Sequence, residues 1–75
     1  MDSYLIKVDG FDEAIIGIAV GYNNLECLAY DTDKVLEILS RDMSQEQAEE
    51  YFEVNIAGAY LGEHTPVFVS MGVII

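Results

Sequence analysis

The sequence predicts an α+β fold, a small antiparallel or mixed sheet with a two-helix layer on one face, and three observations carry that prediction. From Ala14 to Tyr22 residue size alternates with period two, as a strand requires. At Asp31 the apolar spacing lengthens to a helical period and stays helical to about Leu61. After Pro66 a β-type run returns as Val67-Phe68-Val69-Ser70-Met71. Two adjacent helices between strands give the order (β)ββααβ. With 75 residues the chain has room for one domain spanning 1–75.

The first element, Tyr4-Leu5-Ile6-Lys7-Val8, has strand composition, and Asp9-Gly10 after it suits a tight turn. In the next strand Ile16, Ile18, Val20 and Tyr22 share a bulky face, while Ile15, Gly17, Ala19 and Gly21 make a flat one. Its glycines signal a close approach or a bulge. Asn23-Asn24 supplies a turn, and Leu25 to Tyr30 returns antiparallel.

Asp31 or Thr32 caps the first helix, of about ten residues, and Val35, Leu36, Ile38 and Leu39 form its apolar stripe. Glu37 and Arg41 make an i, i+4 pair in the favourable order. Ser44-Gln45-Glu46-Gln47 is a capping-box pattern preceded by Met43, an apolar staple. A second helix is therefore expected from Gln45 to Leu61, with Gly62 as its left-handed terminator. Glu63-His64-Thr65-Pro66 forms a loop before the last strand. Beyond Gly72 the apolar tail Val73-Ile74-Ile75 extends that strand, pairs with the first segment or meets another subunit.

Fourteen acidic residues stand against Lys7, Lys34 and Arg41, a formal net charge of -11. Nucleic acid and anionic membranes are therefore poor partners, because both need clustered cations. A hydrophobic content of 52% separates the chain from acidic disordered sequences. Met1-Asp2-Ser3 lacks a signal-peptide character, and the longest apolar run, Ala14 to Gly21, falls short of the ~20 residues that span a bilayer. A cytoplasmic location is expected. Cys27 is the single cysteine and sits in an apolar run, where it reads as a small buried hydrophobe.

The second helix carries the main candidate site. Projected at a helical period, Ala48, Tyr51, Phe52, Ile56 and Ala59 form an apolar arc, and Glu46, Glu49, Glu50 and Glu53 gather opposite it. Each i, i+3 or i, i+4 pair within that stripe is mildly repulsive, and no lysine on the helix offsets it. The stripe is either a solvated face or a docking surface for a basic protein whose Lys and Arg normally meet nucleic-acid phosphates, because a row of carboxylates imitates a row of phosphates. Asn55 falls inside the apolar arc and is expected to be buried, with its amide bonded to backbone in a structural role.

Other chemistry is poorly supplied. His64 is the sole histidine, and Cys27 or Ser70 would need tertiary placement beside it to act as a nucleophile. Asp31-Thr32-Asp33 begins like a calcium loop but Val35 and Leu36 break it. One Cys and one His do not make an ordinary zinc site. Asp9, Asp12 and Glu13 are a weak cation cluster at most. No phosphate-loop, dinucleotide or serine-hydrolase motif is present, so no cofactor and no metal are expected and the protein reads as a non-enzyme.

Gly10-Phe11-Asp12-Glu13-Ala14-Ile15-Ile16-Gly17, Tyr30-Asp31, Glu49-Glu50-Tyr51-Phe52-Glu53-Val54-Asn55 and Gly62-Glu63-His64-Thr65-Pro66-Val67-Phe68, in that order and spacing, resemble a family of small uncharacterised proteins encoded by tailed bacteriophages and prophages. The resemblance spans about Gly10 to Val69 and brings no functional residue with it. It implies a class by analogy: many short acidic phage proteins bind and inhibit a host protein. Two functions follow as expectations. One is a non-enzymatic protein that binds a basic host protein through Glu46, Glu49, Glu50 and Glu53. The other is a homo-oligomeric accessory protein with an interface built from its apolar C-terminal segment.

Overall fold

The computed structural model describes residues 5–21, 24–59 and 61–70. Three strands, β1 (Ile15–Val20), β2 (Glu26–Asp31) and β3 (Val67–Val69), form one sheet in the order β1-β2-β3. Strand β2 is central, antiparallel to β1 and parallel to β3, so the sheet is mixed. A parallel pair needs a long crossover, and the two helices supply it: α1 (Thr32–Leu39) and α2 (Gln45–Tyr51) lie between β2 and β3 in the chain. The α+β architecture read from the sequence is the one observed.

Local signals explain the helix starts. The Asp31 carboxylate accepts from the Asp33 amide at 3.0 Å and caps α1. At α2 the capping box is complete, with the Gln47 amide donating to Ser44 Oγ at 3.2 Å and the Ser44 amide donating to Gln47 Oε1 at 3.1 Å. The hairpin between β1 and β2 turns on Asn24, whose positive φ of 64° is one that asparagine tolerates well. Its amide donates to the Gly21 carbonyl at 2.9 Å.

Several sequence expectations need correction. Leu5 to Val8 is irregular rather than a strand, since Val8 spends its amide on the Tyr30 hydroxyl at 2.8 Å instead of on a ladder. The Asp9-Gly10 turn does form, with Gly10 at φ 92° and the Phe11 amide on the Val8 carbonyl, but it leads into a 3-10 turn, Asp12–Ala14. In β1 a bulge between Ile15 and Gly17 changes the alternation: Ile15 pairs with Tyr30 and Ile18 with Leu28. The extra residue puts Ile15 on the same face as Ile18 and Val20 and leaves Ile16 exposed.

The second helix is shorter and differently wound than Gln45 to Leu61. Its α-helical part ends at Tyr51, and Phe52–Ala57 continues as a π-helical turn whose i→i+5 bonds widen each turn. Gly58 closes the helix, and Gly62, at φ 124°, serves a separate turn in which the Thr65 amide bonds the Gly62 carbonyl. The last strand stops at Val69. Tyr4, Tyr22, Asn23, Tyr60 and the tail from Met71 lie outside the described residues.

The core sits between the sheet and the helix pair. Ala14, Tyr30, Val35 and Phe52 are buried together, flanked by Phe11, Ile15, Leu28, Leu36, Ile38, Leu39, Ile56 and Phe68. Phe68 joins the layers, with ring centroids 5.5 Å from Tyr30 and 5.1 Å edge-on from Phe52. The helices cover only the Ile15 and Tyr30 end of the sheet, so Ile18 and Val20, on the same face, remain 53% and 61% exposed.

Candidate acidic docking face on the second helix

Glu46, Glu49, Glu50 and Glu53 are all exposed, as the helical projection requires. Ala48 and Phe52 are buried beneath them, and Ile56 and Ala59 are half-buried. The structure therefore brings the four carboxylates onto the outer side of the element that seals the core. No basic side chain answers them among the described residues. Lys7 pairs with Asp12 at 3.3 Å, Lys34 with Glu37 at 3.4 Å, and Arg41 with Glu13 at 3.2 Å and Glu37 at 3.7 Å. All three Lys and Arg residues of the chain are thus engaged around α1 and the 3-10 turn. Among the described residues the stripe's one polar contact is a long one, Gln45 Nε2 donating to Glu49 Oε2 at 3.5 Å.

The stripe borders two different hollows. Glu49 and Glu53 line a cleft with Thr32, Leu36, Phe52 and Ser70, where α1, α2 and the end of β3 converge. On the other flank, Glu50 lines an open groove of about 380 Å³ with Met43, Gln47, Tyr51, Val54 and Asn55.

Asn55 departs from expectation. It is exposed beside the groove rather than buried in a structural bond, because the π-helical turn carries it off the arc that a uniform α-helix would have given. Tyr51 departs too, standing 44% exposed on the groove wall. Cys27 is half-buried rather than enclosed, on the sheet face that pairs with Ala19 and points away from Leu28 and Tyr30.

His64 has a structural task. Strand β3 reaches only as far as Ala29 of β2, and the His64 Nδ1–H donates to the Glu26 carbonyl, which lies beyond the last β3 pairing. A side chain thus extends the satisfaction of the central strand's backbone past the end of its neighbour. Nearby, Thr65 Oγ1 accepts from the Leu61 amide at 2.8 Å and donates to the Gly62 carbonyl, fixing the loop that delivers His64 and the buried Pro66. The weak cation cluster also resolves into ion pairs, since Asp12 and Glu13 face Lys7 and Arg41. Among the described residues no three His, Cys, Asp or Glu side chains gather as a metal-holding group, and no helix is long and apolar enough to cross a membrane.

The groove and the Glu13–Arg41 pair were not foreseen. Val54 is the one available signal for the groove, a β-branched apolar residue off the expected arc and three residues after Tyr51. No family model matches the chain, and no curated protein or solved structure matches it either.

Proposed function

We propose that this is a non-enzymatic interaction protein that binds a basic protein through Glu46, Glu49, Glu50 and Glu53. One observation carries the proposal: the four carboxylates are exposed without an ion pair among the described residues, while Lys7, Lys34 and Arg41 are all engaged with other acids. Like charges at i, i+3 and i, i+4 lower helix stability by a few tenths of a kcal/mol each, roughly 0.2–0.5 per pair. A helix that carries four such charges without compensation is electrostatically prepared for a cationic partner, whose approach relieves the repulsion and is accelerated by it. The analogy with short acidic phage proteins supplies the host-directed part of the reading: the partner is a basic host protein, met in the bacterial cytoplasm and inhibited when its phosphate-binding surface is occupied.

The test compares two variants that remove the same number of charges. In one, Glu46, Glu49, Glu50 and Glu53 become glutamine; in the other, exposed Asp9, Asp33 and Asp42 become asparagine and exposed Glu63 becomes glutamine. The tagged wild type and the second variant are expected to retain a basic protein from host lysate that the first variant loses. Equal recovery by both variants removes the helix face from the account.

A further inference from the structure

Resting on the acidic face just described, the geometry points to the kind of partner it takes: a basic amphipathic segment that sets one bulky apolar side chain into the groove formed by Met43, Tyr51 and Val54. The groove and the acids are adjacent strips of one helix. Gln47, Glu50, Tyr51 and Val54 follow at i, i+3, i+4 and i+7, a single helical stripe. Glu50 belongs to both strips, because Glu46 and Glu53 lie one turn to either side of it.

A surface made to engage phosphate-binding cations alone has no need of an apolar hollow. This one is lined by an exposed valine, Val54, with 69% of its surface open, together with a tyrosine and a methionine. At about 380 Å³ the groove is at the low end of the ~300–1,000 Å³ typical of ligand sites. It is open along its length, which suits a side chain presented by another chain better than an enclosed small molecule. Its rim is anionic through Glu50, with Gln47 and Asn55 as neutral hydrogen-bonding neighbours. That is the division of labour of a helix-type recognition surface, an apolar anchor for affinity and flanking charge for orientation and rate.

Two synthetic peptides test this, one with leucines at i, i+3, i+4 and i+7 among lysines so that it forms an amphipathic helix, the other with every leucine replaced by serine and the same net charge. Binding to the full chain is measured by fluorescence anisotropy at about 0.15 M salt, where long-range attraction is largely screened. The leucine peptide is expected to bind roughly tenfold more tightly than the serine peptide. Val54→Ser is expected to erase most of that difference, and Val67→Ser, on the sheet face away from the helices, to leave it intact. Equal affinity for the two peptides, or a leucine preference that Val54→Ser leaves unchanged, overturns the groove while leaving the acidic face standing. Changing Glu46, Glu49, Glu50 and Glu53 to glutamine separates the two claims: it is expected to weaken both peptides, and unaltered binding of both overturns the acidic face itself.

Discussion

Helices α1 and α2 share a core and differ in everything they show to solvent. Val35, Leu36, Ile38 and Leu39 of α1 pack into the same cluster as Phe52 and Ile56 of the second helix, around Tyr30 and Phe68. On the outside, Lys34 and Glu37 of α1 and Arg41 just past its end form short-range pairs, and Arg41 reaches back 28 residues to Glu13. Its surface charges are balanced locally. Across the short connection, α2 and its π-helical continuation carry four glutamates and no cation. The contrast shows that a net charge of -11 is not spread evenly: the few cations are spent where the chain begins and around α1, and four of the uncompensated acids share one helix. Burial holds both helices in place, so the charge on α2 is free to be unfavourable.

The first way to break this comparison is to remove what the helices have in common. Phe52→Ala deletes the ring that meets Phe68 edge-on, and large-to-small changes at such sites cost about 3–5 kcal/mol. In a domain of this size that loss is expected to abolish the cooperative urea transition followed by circular dichroism. Retention of a normal midpoint would mean that α2 is not held by the core.

Capping gives a smaller effect that sharpens the symmetry of the two helices. Asp31→Ala and Ser44→Ala each remove a cap, and each is expected to cost about 1 kcal/mol, read as a lowered urea midpoint with an unchanged slope. The smallest effects expose the asymmetry. Changing the four glutamates of the second helix to glutamine is expected to raise stability by roughly 0.5–1 kcal/mol at low salt, with the gain fading as salt is added. Glu37→Gln on α1 removes attractive pairs instead and is expected to lower stability by about 0.3–0.5 kcal/mol. The same sign for both changes would end the contrast.

Much of this was legible in the sequence because local chemistry decided it. Asp31 and Ser44-x-x-Gln47 name their helix starts, Asn24 names its turn, and Val35 and Phe52 fall on the buried faces that their spacing predicts. The glutamate stripe was legible for the same reason, since position on a helix follows from counting. The failures occur where a local count was broken by one residue or by a distant partner. A bulge at Ile16 and Gly17 moved Ile15 to the other face, and a π-helical turn after Tyr51 moved Asn55 out of the arc. Leu5 to Val8 has strand composition, but Tyr30, 22 residues away from Val8, claims its amide. The groove depends on Met43 in the connection meeting Tyr51 and Val54 on the helix, a juxtaposition that no single period contains.

The central claim is that the unbalanced helix, rather than acidity in general, meets the partner. A titration of the isotope-labelled protein with the lysine-leucine peptide, read as amide chemical-shift changes residue by residue, tests it most directly. The account predicts that the largest changes fall between Met43 and Asn55 and that Asp9, Asp12, Asp33 and Glu37 stay close to their starting positions. Changes spread evenly over all the acidic residues, or centred on α1, would contradict it.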